Sequence, residues 1–172
     1  EVGRERERVE WLMSAAVAEL AAGYAEDGNS VVVFFNFTEP RLRFEAELLK
    51  LGVESASVCG DQKEAERQSG IDAFQANRVR CMSVMAEAGG AALSLHDERH
   101  ERPRVSLIMP GWNSSTVKQC LGRIRRCNGT HATQYFVLAA GTIQERVALT
   151  LRRKLANLST FNETLCDSDL QV

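Results

Sequence analysis

The run Val31-Val32-Val33-Phe34-Phe35 decides how this chain folds, because it is an unbroken series of β-branched and aromatic residues. A strand with one face in water alternates apolar and polar residues, whereas a strand covered on both faces does not. The run therefore predicts a buried strand of a parallel sheet with helices packed on both faces. Asp27-Gly28-Asn29-Ser30 precedes it and has the composition of a turn.

The residues on either side of this strand predict helices. After it, Thr38 can cap a helix that has Pro40 in its first turn and Gly52 just past its end. Before it, apolar residues recur at helical spacing, which predicts a long amphipathic helix. They are Val9, Leu12, Met13, Ala16, Val17, Leu20 and Tyr24.

The same alternation continues along the chain. Further strands are predicted at 55–59, 78–84, 105–109 and 134–139, and helices at 61–76, 114–126 and 142–158. Asp61 with Glu64, and Thr142 with Glu145, have the spacing of capping boxes. Residues 96–104 are predicted to be a charged surface loop. Strands alternating with helices predict an α/β fold, a three-layer domain with a mainly parallel sheet of about six strands. We expect this domain to cover residues 1–162 and a tail to cover 163–172.

Composition narrows the function classes. The chain has 172 residues, 44% hydrophobic and 26% charged, which excludes a disordered or collagen-like chain. Its longest apolar run is too short for a membrane span, and no signal-peptide pattern opens it. Five scattered cysteines predict reduced thiols and an intracellular location. A net charge of −2 argues against a free-standing nucleic-acid binder, and 6% aromatic residues argue against a base-stacking platform. The first residue is Glu, which suggests a fragment or a processed chain.

The predicted helix 114–126 has two distinct faces. At about 100° per residue, its core face carries Val117, Cys120, Leu121 and Ile124. An exposed stripe opposite carries Gln119, Gly122, Arg123 and Arg126. Arginines at this spacing repel each other unless an anion faces them, and the guanidinium suits bidentate phosphate contact. A solvated basic face is the alternative interpretation. His96 and His100 are read as surface residues, and no metal ligands are predicted.

The segment Gln119-Cys-Leu-Gly-Arg-Ile-Arg-Arg126 resembles motif VI (Q-x-x-G-R-x-x-R) of the superfamily 2 helicases and translocases. Residues 31–37 are similar to motif IV of that family, and residues 88–95 to motif V. Residues 59–74 resemble the segment that follows motif IV. Trp112-Asn113 and residues 142–154 are similar to chromatin-remodelling translocases, and the Leu95-His96-Asp97 loop to phage and large-DNA-virus helicases. The order and spacing of these motifs together are specific.

The resemblance implies the second RecA-like lobe of an ATP-dependent helicase or translocase, an ATP hydrolase. A first lobe of the same protein would hold most of ATP and Mg²⁺, since this chain has no G-x-x-x-x-G-K-[ST] or D-E-x-H motif. The isolated chain is therefore expected to be inactive. By family match, Arg123 and Arg126 would be catalytic arginine fingers, and Gln119 would position nucleotide or water. Gly90 and Gly122 would lie against ATP.

Nucleic acid, expected to be DNA, would be contacted along its backbone by residues of motifs IV and V. The candidates are Asn36, Thr38, Gly89 and Ser94. Motif V departs from the family pattern, because Met85, Ala86 and Glu87 stand where a hydroxyl residue often precedes Ala-Gly-Gly. The alternative function is a non-catalytic RecA-like docking or adaptor domain that binds protein or nucleic acid. An unrelated α/β phosphate-binding enzyme would need a catalytic set that the sequence does not offer.

Overall fold

The computed structural model describes residues 1–88, 93–125 and 131–161. The helices in these ranges are α1 (Val2–Glu26), α2 (Thr38–Lys50), α3 (Glu64–Gln75), α4 (Ser114–Ile124) and α5 (Ile143–Phe161). The strands are β1 (Ser30–Phe35), β2 (Ser55–Val58), β3 (Cys81–Met85), β4 (Arg104–Ile108) and β5 (Ala132–Phe136). None of these helices is long and apolar enough to cross a membrane.

The described strands form one fully parallel sheet in the order β2-β3-β1-β4-β5. β1 is its central strand, and all six of its residues are buried, which confirms the prediction from the valine and phenylalanine run. The expected number of strands was slightly too high, since the described residues form five. Leu93 and Leu95 are buried without joining the sheet.

Alternate residues of β1 enter different halves of the core, as the strand repeat requires. Val31, Val33 and Phe35 pack in one cluster with residues of α1 and α2, and the Phe35 and Phe44 rings lie 5.2 Å apart. Val32 and Phe34 pack in a second cluster with residues of α3 and α4. Helices therefore cover both faces of the sheet, and the loops after each strand are left to form a site.

Two of the predicted helix starts were wrong. α2 begins at Thr38 with the extended residue Phe37 in the capping position, and α3 begins at Glu64 with Lys63 in that position. Instead of a capping box at Asp61, the Gln62 side chain holds the loop. Thr142 caps α5, because its hydroxyl accepts a hydrogen bond from Gln144 N (3.2 Å), while the Glu145 half of the predicted box stays a prediction. Gly52 lies just past the end of α2 as predicted, with φ +76°.

The prediction of a charged surface loop at 96–104 was wrong at two positions. Asp97 and Arg104 are each 1% exposed. The Asp97 carboxylate accepts a hydrogen bond from Arg102 N (2.9 Å), so it closes the loop on itself. Arg104 is the first residue of β4 and points into the core. The predicted tail at 163–172 lies outside the described residues.

Candidate nucleotide and nucleic-acid site

The loops that follow β1, β3 and β4 meet at the carboxyl edge of the sheet, because β1 lies between the other two strands. This is the edge at which parallel α/β sheets bind ligands. A pocket of about 170 Å³ opens there. Its walls come from these loops, from α1 and from α4, and include Arg6, Asn36, Phe37, Glu87, Trp112 and Thr116.

Asn36 is fixed in this pocket by a buried carboxylate. Its backbone N donates to Glu10 Oε1 (2.8 Å), and its Nδ2 donates to Glu10 Oε2 (3.0 Å). Nδ2 also donates to the Met109 carbonyl (3.2 Å). Glu10 is 1% exposed, and this burial raises the pKa of its carboxyl group, although the bonds from Asn36 and the charge of Arg6 oppose the rise. The Asn36 amide nitrogen is thus used within the protein, which favours a role in shaping the loop.

Glu10 is a residue that sequence reasoning missed. It lies on the same stripe of α1 as the buried residues Ser14, Val17 and Ala21. The helical phase of the apolar residues could have placed it on the buried face, where a charged residue requires a partner. Its partner lies 26 positions away, on the loop after β1.

Close packing joins the loops after β1 and β4. A Cβ atom added to Gly111 would lie 2.9 Å from Asn36 Oδ1, so only glycine fits without movement of the amide. The Arg6 guanidinium carbon lies 5.4 Å from the centre of the Phe37 ring and 6.0 Å from that of Trp112. Burial lowers the pKa of Arg6. The first turns of α1 therefore form one wall of the pocket.

The predicted nucleic-acid contacts are not brought together. Asn36 and the exposed Thr38 lie at the carboxyl edge. Ser94 lies toward the amino edge, since its carbonyl accepts a hydrogen bond from Gln75 Nε2 (2.7 Å) at the last residue of α3. Its hydroxyl pairs with His96 Nδ1 at 2.7 Å. Gly89 lies outside the described residues.

α4 begins at the pocket and has the predicted core face. Asn113 Oδ1 accepts hydrogen bonds from the backbone N atoms of Ser115 (3.0 Å) and Thr116 (3.3 Å), which caps the helix. Val117, Cys120 and Ile124 are buried. Burial raises the pKa of Cys120 to about 12, so its thiol stays protonated and is no nucleophile.

The predicted exposed stripe of α4 was only partly right. Gln119 and Gly122 are exposed, and no heavy atom lies within 4 Å of a Cβ built on Gly122. Arg123, however, is only 8% exposed. At about 100° per residue it lies roughly 40° from Gln119 on the side of Cys120, at the border of the core face. Its carbonyl also accepts a hydrogen bond from Leu95 N (3.0 Å), so the segment around Leu95 covers the end of the helix.

Arg125 and Arg126, the last residues of motif VI, come after the end of α4 in the sequence. α4 ends at Ile124, and Arg125 is an exposed residue in extended conformation. Arg126 and Gly90 lie outside the described residues, so their roles stay predictions. Within the described ranges, no group of three or more His, Cys, Asp or Glu side chains could hold a metal ion.

Comparison with known proteins bears out the resemblance. The family described as helicase conserved C-terminal domain matches residues 11–128. A protein of Acanthamoeba polyphaga mimivirus, named for ATP-dependent RNA helicase activity, is 34% identical over 151 residues, which cover 86% of this chain and 26% of that protein. The DNA repair protein RAD5 of Cryptococcus neoformans is 28% identical over 138 residues, which cover 76% of this chain and 11% of that protein. The chromatin-remodelling ATPase INO80 of the same species is 28% identical over 146 residues, or 83% of this chain and 7% of that protein.

A solved structure shows the same fold. The C-terminal part of the Fun30 ATPase domain superposes with a TM-score of 0.69 at 19% identity, over 79% of this chain and 44% of that one. The chain spans about a quarter or less of the length of the curated relatives described above. With its parallel α/β sheet and its match over residues 11–128, the chain belongs to the helicase C-terminal domain family and has the RecA-like fold of a helicase C-terminal lobe.

Proposed function

We propose that this chain is the second lobe of an ATP-dependent nucleic-acid motor, and that ATP is hydrolysed between it and a first lobe of the same protein. The family match over residues 11–128, which includes the whole Q-x-x-G-R-x-x-R motif at 119–126, carries the proposal. The sequence contains no phosphate-binding loop, and the described residues offer no metal cluster. We therefore assign the cradle for the phosphates and the ligands of Mg²⁺ to the first lobe.

The exposed side of α4 fits a role at the nucleotide. Gln119 presents an uncharged amide that can hydrogen-bond to nucleotide or water, and the bare Cα of Gly122 allows close approach. ATP supplies the transferable phosphoryl group, and arginine from this lobe stabilises the charge that develops on it. Arg123 is only 8% exposed in this chain, so we propose that Arg126 makes the larger contribution.

The nucleic-acid contact that we propose lies at the carboxyl edge of the sheet. The Thr38 hydroxyl is exposed there, beside the loop that Glu10 holds. The pocket carries both Arg6 and Glu87, and this mixture of charges favours backbone recognition by hydrogen bonds over a purely electrostatic patch. The names of RAD5 and INO80 refer to DNA repair and chromatin, which supports DNA as the partner, whereas the mimivirus relative is named for RNA.

The decisive experiment measures steady-state ATPase of the complete protein with saturating DNA or RNA. Arg126→Ala should lower kcat on the order of 10³-fold or more while ATP binding changes little, because finger contacts strengthen in the transition state. Arg126→Lys should restore little, since an ammonium lacks the planar fork. Arg125→Ala, one position away, is the matched control and should keep most activity.

Two outcomes would overturn this assignment. Turnover by the isolated chain would show that it holds a complete active site. Near-normal ATPase in Arg126→Ala, with loss in Arg125→Ala, would show that the motif VI residues are assigned to the wrong roles. An adaptor domain without catalysis is the alternative, which the burial of Arg123 favours. It predicts that all three variants leave the ATPase of the complete protein unchanged.

A further inference from the structure

The backbone of Ser94 and Leu95 is clamped from three directions. Gln75 Nε2 donates to the Ser94 carbonyl (2.7 Å), and Arg104 Nε donates to the Leu95 carbonyl (3.1 Å). On the other side, Leu95 N donates to the Arg123 carbonyl (3.0 Å). The end of motif V is thus joined to the end of α3, to the start of β4 and to the end of α4.

Gln75 and Arg104 also fix each other. Arg104 Nη2 donates to Gln75 Oε1 (2.9 Å), which leaves Gln75 Nε2 facing the Ser94 carbonyl. A flipped amide would place oxygen against that carbonyl, so the two bonds together set the orientation of Gln75. The Arg104 guanidinium carbon lies 4.7 Å from the centre of the Phe74 ring, which orients the planar group further.

The burial of Arg104 indicates that the planar shape of its guanidinium group matters. Arg104 is 1% exposed, so its guanidinium has lost its hydration, which costs free energy even though Nε and Nη2 are hydrogen-bonded. An apolar side chain of similar volume could fill the same space without that cost. What the arginine adds is a rigid fork that holds Leu95 and Gln75 at once.

From this network we infer that Gln75 and Arg104 are positioning residues that keep the end of motif V, Ser94 and Leu95, in register with the C-terminal end of α4. Ser94 lies away from the nucleic-acid contact proposed at the carboxyl edge, but a displacement of Ser94 when nucleic acid binds there would reach Arg123 through Leu95 N. The inference rests on the proposed function and adds two residues to it, neither of which touches nucleotide or nucleic acid. Their expected effect is on the coupling between the two ligands and not on the binding of either.

The test uses the complete protein and measures nucleic-acid affinity, basal ATPase and nucleic-acid-stimulated ATPase separately. Gln75→Glu keeps the acceptor for Arg104 but replaces the donor to Ser94 with an acceptor. Gln68→Glu, on the exposed side of the same helix, is the matched control. Arg104→Lys keeps the charge but loses the fork, and Arg102→Lys is its control.

We expect Gln75→Glu and Arg104→Lys to fold and to keep basal ATPase and nucleic-acid affinity within about threefold of the wild type. The stimulation of ATPase by nucleic acid should fall about tenfold, which is the size of typical coupling free energies between two sites. The double variant should lose little more ATPase stimulation than either single variant, because both changes disrupt the same hydrogen-bond network. Circular dichroism verifies the fold, and if Arg104→Lys does not fold, Gln75→Glu against Gln68→Glu decides.

The outcomes separate this inference from the proposed function. Wild-type stimulation in folded Gln75→Glu overturns the positioning role and leaves the motor intact. A loss of affinity in proportion to the loss of stimulation also overturns it, because the residues would then act on binding alone. A wild-type ATPase that nucleic acid does not stimulate overturns the motor, and the coupling with it.

Discussion

Replacement of Gly122 should separate stability from activity. The residue is exposed, lies within α4, and has no heavy atom within 4 Å of a built Cβ. Glycine in a helix interior is about 1 kcal/mol less favourable than alanine. Gly122→Ala should therefore stabilise this chain by up to about 1 kcal/mol, somewhat less because the position is in the last turn. For a chain of this size such a gain raises Tm by roughly 2–4 °C.

The same position should be intolerant of bulk in the complete protein. A leucine at 122 projects from the side of α4 that carries Gln119, where we propose that nucleotide approaches. Gly122→Leu should leave the lobe folded, because the helix propensity of leucine exceeds that of glycine by nearly as much as the helix propensity of alanine does. Gly122→Leu should raise the KM for ATP and lower kcat/KM. Gly122→Ala should give values of both that lie between those of Gly122→Leu and of the wild type.

Thermal unfolding of this chain and steady-state ATPase of the complete protein are the two assays. Gly23→Ala is the matched control, because Gly23 also lies inside a helix with no heavy atom near a built Cβ. It should raise Tm in the same way without any loss of ATPase. Normal ATPase in folded Gly122→Leu would refute the placement of the nucleotide. A fall in Tm for Gly122→Ala would refute the open helical environment.

Three further changes test the carboxyl edge by urea denaturation. Gly111→Ala should lower the free energy of unfolding by about 1–3 kcal/mol, because the added Cβ would lie 2.9 Å from the immobilised Asn36 amide. Gly60→Ala, whose Cβ would lie in open space, should lower it little, and equal effects of the two changes would contradict the packing argument. The Glu10 carboxyl binds its proton more tightly in the folded state than in the unfolded state. The free energy of unfolding of the wild type should therefore fall as pH rises from 4.5, the ordinary pKa of the carboxyl, toward its raised pKa in the folded state, and Glu10→Gln should lack this pH dependence. Asn113→Ala should cost about 1 kcal/mol through loss of the α4 cap, and Asn113→Asp should retain the cap.

The fold was largely predictable because it rests on local patterns. The buried run at Val31–Phe35 and the alternation of strands with helices gave the parallel sheet and its helical layers. Helix starts were less predictable, because a cap depends on which residue is the last one in extended conformation. At α2 that residue is Phe37, with φ −131° and ψ 149°, and not the better capping residue Thr38.

The candidate site was predictable only in part, because its polar contacts join distant segments. The periodicity of α4 correctly gave the buried Val117, Cys120 and Ile124. It misplaced Arg123, since a helical wheel cannot show that the segment at Leu95 lies over the end of the helix. Arg104 looked like part of a charged loop because its partner Gln75 is 29 positions away.

α4 connects the two regions that these experiments probe. Its first turn borders the pocket through Thr116, and its last turn receives the hydrogen bond from Leu95 at Arg123. Eleven residues at about 1.5 Å each make a rod of roughly 16 Å, capped at its start and packed along its core face. A packed helix shifts as a unit more readily than it bends, so displacement at one end is carried to the other. Substitutions at the pocket, at Gly122 and at the Gln75–Arg104 pair should therefore all change ATPase stimulation, whereas only those at Gly122 should change nucleotide affinity.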